Sequence, residues 1–152
     1  MARSSNSAPF ARRRAGRPVS AQGGTALFYL AATTVVLIMA QFAVAGFSTF
    51  TMDKTPTDNT FSAVGVGGYI VAAMTLVVLI TVLVSPSARS DRRTLWLAVT
   101  LAVLSIVVMP ATGNAGKTVP AVGALHVLIA VIIFGVAAWL AVEVAPRRTA
   151  VG

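Results

Sequence analysis

Four long apolar runs occupy most of this chain, over about residues 26–47, 61–84, 94–111 and 119–145, with short polar segments between them. Wound as α-helix at 1.5 Å per residue, runs of roughly 18 to 27 residues reach ~27–40 Å. That length matches the ~30 Å hydrocarbon core of a bilayer. Composition agrees: 57% of the residues are apolar and 11% charged, and the mean hydropathy is +0.85. A water-soluble domain needs roughly a quarter of its residues charged to cover its surface. The fold implied is all-α, a four-helix transmembrane bundle.

The net charge of +8 would suit a nucleic-acid binder if it formed one face. It lies instead in short clusters between apolar runs, the pattern of membrane topology, so nucleic acid is excluded as a partner. All ten arginines fall in the N-terminal segment, the 85–93 turn and the C-terminal segment, whereas the 48–60 and 112–118 loops carry only Lys54 and Lys117. The positive-inside rule then puts both termini in the cytoplasm and both loops outside, in a multi-pass protein of the cell membrane. Short connections make successive helices antiparallel, giving an up-down-up-down bundle.

The polar segments are simple. Residues 1–25 form a basic tail, with Arg12-Arg13-Arg14 and Arg17, too polar to offset the entropy of ordering and so disordered. No apolar consensus follows these arginines, so they do not make a twin-arginine export signal. Ala43-Val44-Ala45 resembles a signal-peptidase site, but the first run is longer than a cleavable h-region, so a retained helix is expected. Asp53 and Asp58 read as a solvated loop and not as a metal site. Gly113 to Gly116 has the wrong order and spacing for a phosphate-binding loop. Residues 146–152 form a second basic tail, and Glu143 is expected to reach the interface near Arg147 and Arg148. The absence of cysteine removes disulfide, thiolate and iron–sulfur chemistry.

Function is harder to read than layout. His126 is the only histidine. Counted from the outer ends of their runs, Gln41, Tyr69 and His126 each lie about 7 or 8 residues in, or ~10–12 Å, with Ser105 somewhat shallower. Polar side chains in a membrane span turn towards the bundle interior, where a partner can be found. These four residues therefore form one candidate cluster, either bonding to each other and fixing helix register or binding a ligand. His126 is also the group whose ordinary titration lies nearest neutral pH. Gly65, Gly68 and Ala72 share one face of the second helix and form a candidate helix-packing surface, within the chain or in a homo-oligomer. The threonines within the runs are expected to bond back to carbonyls one turn earlier. No serine–histidine–carboxylate set can assemble at one depth, because Glu143 lies at the opposite membrane face from His126, so no catalytic residue is assigned.

Gln41-Phe-Ala-Val-Ala-Gly-Phe47, Ala124-Leu-His126 and Phe134-Gly-Val-Ala-Ala-Trp-Leu140 resemble a family of actinobacterial four-helix integral membrane proteins without an assigned activity. The resemblance covers about residues 26–145 and implies a layout rather than a reaction. The same layout is distantly similar to haem-binding modules of the cytochrome b561 type and to haem A synthase halves, where paired histidines on different helices ligate iron. Here Val64 stands where relatives carry a histidine, and one histidine cannot supply a bis-histidine site. The expectation is a non-enzymatic membrane component or accessory subunit in contact with the bilayer and open to a membrane-protein partner or a second copy, without cofactor or metal. The alternative is a redox-linked module binding haem or quinone near His126.

Overall fold

The computed structural model describes residues 21–51, 58–116 and 118–146, with side chains over 24–47, 65–115, 118–119 and 121–146. The elements are α1 (Ala21–Thr51), α2 (Asp58–Val84), α3 (Pro86–Ser90), α4 (Arg92–Val103), a π-helical segment (Leu104–Val108), α5 (Met109–Gly116) and α6 (Pro120–Glu143). Four stretches are long and apolar enough to cross a membrane: Gly24–Phe47, Gly65–Val84, Arg92–Ala115 and Ala121–Glu143. The protein is an all-α, four-helix transmembrane bundle. Most of the basic N-terminal tail, the loop residues Asp53 and Lys54, and the arginines after Pro146 lie outside the described residues.

The first and third spans are longer than their apolar runs. α1 begins at Ala21, inside the expected disordered tail, and continues to Thr51. No proline lies between Pro18 and Pro56, so nothing in the backbone stops the helix where apolarity ends. The third span differs most. The expected stop near Ala111 is absent, and the chain stays helical through Thr112, Gly113 and Asn114 as far as Gly116. Pro110 lies inside this rod. A proline there has no N–H to give and crowds the carbonyl four residues back. The π segment just before it widens the turn, with Met109 N–H bonding to the carbonyl of Leu104, five residues earlier.

At the other end, Ser85 caps the one-turn α3 by accepting from Ala88 N–H at 3.4 Å, with Pro86 at the first helical position. Asp91 then caps α4: it accepts from Arg93 N–H at 3.2 Å and from the Thr94 hydroxyl at 2.6 Å. The basic turn is thus a folded, capped corner. Glu143 pairs here with Arg93, at 3.4 Å, while the Arg93 guanidinium lies 5.1 Å from the Trp139 ring centroid. Arg93, on the neighbouring helix, is a partner for Glu143 that neighbours in sequence do not reveal, and Arg147 and Arg148 lie outside the described residues.

α1 packs on α2 and α6, and α4 packs on the same two helices, which closes a ring in chain order. Its core is built from one stripe per helix: Leu27, Ala31, Thr34 and Ile38; Val71, Thr75, Val78 and Val82; Thr94, Ala98, Leu101 and Ser105; Ile133, Ala137 and Leu140. The steps of three or four residues keep each set on one helical face. Alanines and threonines recur because apolar burial gives little net attraction between helices in lipid, so association depends on close packing. Thr34, Thr75 and Thr81 return their hydroxyls to the carbonyls of Leu30, Ala72 and Val77 at 2.8 Å, which hides the polar atom on its own helix.

Candidate functional site

Every fully buried residue lies between the arginine corner and the level of Ser105 and Ile129. Beyond that level the same stripes continue without closing, and a cavity of about 580 Å³ opens among α1, α2, the π segment with α5, and α6. Pockets that hold small molecules measure roughly 300–1,000 Å³. Gln41, Tyr69, Ser105 and His126 all line this cavity, joined by Asn114. Among the described residues, no Asp, Glu, Lys or Arg side chain lines it.

The four residues are placed differently from one another. Ser105 is 5% exposed, and its Oγ has no hydrogen-bond partner. It sits in the π segment, where the wider turn interrupts the i−4 geometry that lets Thr34 bond back to its own helix. Because α5 extends to Gly116, Ser105 is about 11 residues from the end of its span, or ~16 Å at the helical rise, and not near the outer end as expected. Tyr69 stands at the rim, 75% exposed. Gln41 lies over Gly67, where a Cβ would collide with its carboxamide.

His126 is half-buried, and its Nδ1 lies 3.1 Å from the Thr112 hydroxyl oxygen. That hydroxyl has one proton, for which the carbonyls of Val108 and Met109 are acceptors at 2.9 and 3.1 Å. The donor and acceptor roles in the Thr112–His126 contact follow the imidazole tautomer: a ring protonated at Nδ1 donates to Thr112 Oγ1 and leaves the lone pair on Nε2, and the other tautomer accepts the threonine proton. Gly113 gives the ring room, since a Cβ there would come within 3.0 Å of His126 Cε1. Ser105 without a partner and His126 bonded to Thr112 mean that the four residues do not close a ring of mutual bonds.

The small face of α2 also has a different setting from a helix seam. Gly65 and Gly68 line the cavity, and a Cβ on either would meet nothing within 4 Å, so no described residue packs against that face at these two positions. Ala72 lines the cavity as well. Sequence reasoning missed Thr112, Gly113 and Asn114 because it read them as loop, and missed Gly67 because neighbouring glycines carried the same signal. The Pro110–Gly113 spacing, one helical turn inside an apolar stretch, was the available clue.

Among the described residues, no group of three His, Asp or Glu side chains could hold a metal ion. Met109 lines the cavity with His126, but the sequence holds no second histidine, so the paired-histidine haem arrangement does not fit these residues. No protein-family model, curated protein or solved structure matches this chain.

Proposed function

We propose that this is a non-enzymatic component of the cell membrane, with both termini cytoplasmic, whose open outer half houses a small lipophilic molecule. The observation that carries the reading is Ser105 Oγ, buried in the cavity wall without a partner. A buried hydroxyl left unsatisfied costs about 1–3 kcal/mol, and a bound molecule with a hydrogen-bonding group would remove that cost. The apolar surroundings and the absence of lining charges favour a molecule that partitions into lipid. Membership of the actinobacterial four-helix family is compatible with this reading and adds no chemistry to it.

A second reading, a redox-linked module, draws on the presence of His126 and Ser105 in one cavity, since a quinone carbonyl could accept from the serine hydroxyl. One experiment tests both. The chain is purified from its membrane, its absorption spectrum recorded and its organic extract analysed by mass spectrometry. The expected result is a colourless protein with a stoichiometric neutral lipophile, depleted in Ser105→Leu. A Soret band or a stoichiometric quinone would favour the redox reading. An extract holding only bulk lipid in bulk proportions, unchanged by the substitution, would sink both.

A further inference from the structure

The cavity has a side and a polarity, and both constrain what enters it. α1 packs on α2, α5 packs on α6, and α1 packs on α6, but among the described residues α2 and α5 do not approach one another. The wall is therefore missing on one side. One edge of the gap is the α2 face of Gly65, Gly68 and Tyr69, and the other is the strip of Met109, Pro110 and Asn114. Proline and π turns are ordinary causes of bends in helices. Here the π segment ends at Val108 and Pro110 follows within α5, and α2 touches the π segment but, among the described residues, not α5. The gap lies within the spans, and so it faces lipid.

Of the five polar side chains on the cavity wall, Ser105 and His126 each present an atom that can bond to an arriving molecule. Ser105 Oγ–H has no acceptor. His126 Nε2 has no partner among the described residues, and in the Nδ1–H tautomer, the one that leaves the Thr112 proton to the carbonyls of Val108 and Met109, it is an acceptor. A complementary ligand needs an acceptor for the serine and a donor for the imidazole. It also needs no net charge, because among the described residues no ionised side chain lines the site to offset the desolvation of one.

Resting on the ligand-binding reading above, we propose that the cavity takes a neutral lipid bearing both a hydroxyl and an ester carbonyl, admitted sideways from the bilayer between α2 and α5. The carbonyl accepts from Ser105, the hydroxyl donates to His126 Nε2, and the acyl chains leave through the gap past Tyr69. A diacylglycerol has this chemistry. A quinone lacks the donor, and a fatty-acid anion or phospholipid carries a charge the site does not balance.

The test uses the full chain in phosphatidylcholine nanodiscs and three radiolabelled probes: 1,2-dioctanoylglycerol, its 3-acetyl ester, and ionised palmitate. The glycerol should bind about five-fold more tightly than the acetyl ester, as expected for one hydrogen bond, and at least about ten-fold more tightly than palmitate. Ser105→Ala should weaken both glycerides by about five-fold while leaving the thermal midpoint of the empty protein unchanged or raised, since it removes an unsatisfied hydroxyl. His126→Phe should erase the preference for the free hydroxyl. If that variant does not fold, the wild-type comparison of the two glycerides decides the point. Because the natural chain has no cysteine, Tyr69→Cys and Asn114→Cys can be bridged cleanly by a bis-maleimide. The bridge should slow association at least about ten-fold relative to either single labelled variant, a loss of access and not of contacts. Equal binding of both glycerides, or of palmitate, would overturn the ligand class while leaving a lipophile site in place. Unchanged association in the bridged protein would overturn the route. No binding of any probe would overturn this inference and the ligand-binding reading together.

Discussion

The two halves of the bundle use the same four stripes and reach opposite results. Towards the arginine corner, the stripes carry alanine, threonine, valine and leucine, and residues such as Ala31, Val78, Ala98 and Ala137 are wholly buried. Towards the other end, the stripes carry Gln41, Gly65, Gly68, Ser105, Gly113 and His126, and they enclose a cavity. Apolar character does not distinguish the halves, because both belong to spans of high hydropathy. The difference is fit. Small residues opposite medium ones interdigitate, whereas Gly65 and Gly68 of α2 face a volume that no described neighbour fills.

The strongest way to break this comparison is to remove packing from the closed half. Leu101→Ala, at a wholly buried site, should cost about 2–4 kcal/mol in reversible unfolding in mixed micelles. Val127→Ala, on the cavity wall and 61% exposed, should cost less than about 0.5 kcal/mol by the same measurement. Equal losses would mean that both halves are equally packed.

Next in size is the approach of α5 to α6 beside His126. Gly113→Ala puts a methyl 3.0 Å from the imidazole, and the ring, in contact with Thr112 on one side, must give by a few tenths of an ångström to admit it. A destabilisation of about 1–3 kcal/mol is expected from such overpacking. Gly135→Ala is the internal control. Its Cβ meets nothing within 4 Å, so the same change should stabilise α6 by about 0.5–1 kcal/mol. Opposite signs from two identical substitutions, read by thermal unfolding, would place the constraint at the histidine. The same sign in both would remove it.

These tests also show what could be read in the sequence. The spans were legible because apolar runs of bilayer length have few other solutions, and the stripes of Ala98, Ala102, Ser105 and Met109 or His126, Ala130, Ile133 and Ala137 follow from helical period. The cavity was not legible. It depends on Pro110 continuing a helix rather than ending one, and local rules make ending the usual outcome. Once Thr112 and Gly113 were read as loop, the partner of His126 had no position from which to be found. Depth estimates for Ser105 failed for the same reason.

Pro110→Ala addresses that point and should have a smaller effect on stability. It restores an N–H to the third span and removes the crowding that the π turn relieves. The span should become more regular, and unfolding should shift towards stability by about 1 kcal/mol. If the open half exists because of this residue, the gain is accompanied by loss of the lipophile from the extracted protein. Stabilisation with the extract unchanged would assign the cavity to the glycines of α2 alone.

The smallest effect belongs to the closed end. Arg93 and Glu143 join α4 to α6 at 3.4 Å, but the arginine side chain is 58% exposed. Exposed ion pairs contribute about 0–1 kcal/mol, and salt screens them. Glu143→Gln should therefore cost less than about 1 kcal/mol at low ionic strength and almost nothing at high salt. The Trp139 ring would still hold the guanidinium, so Trp139→Leu in the Glu143→Gln background should cost more than Glu143→Gln alone. A salt-independent loss of several kilocalories from Glu143→Gln would mean that the arginine corner is clamped by charge. The closed half would then owe its closure to the Arg93–Glu143 pair as well as to the fit of its alanines, and the contrast with the open half would no longer be one of packing alone.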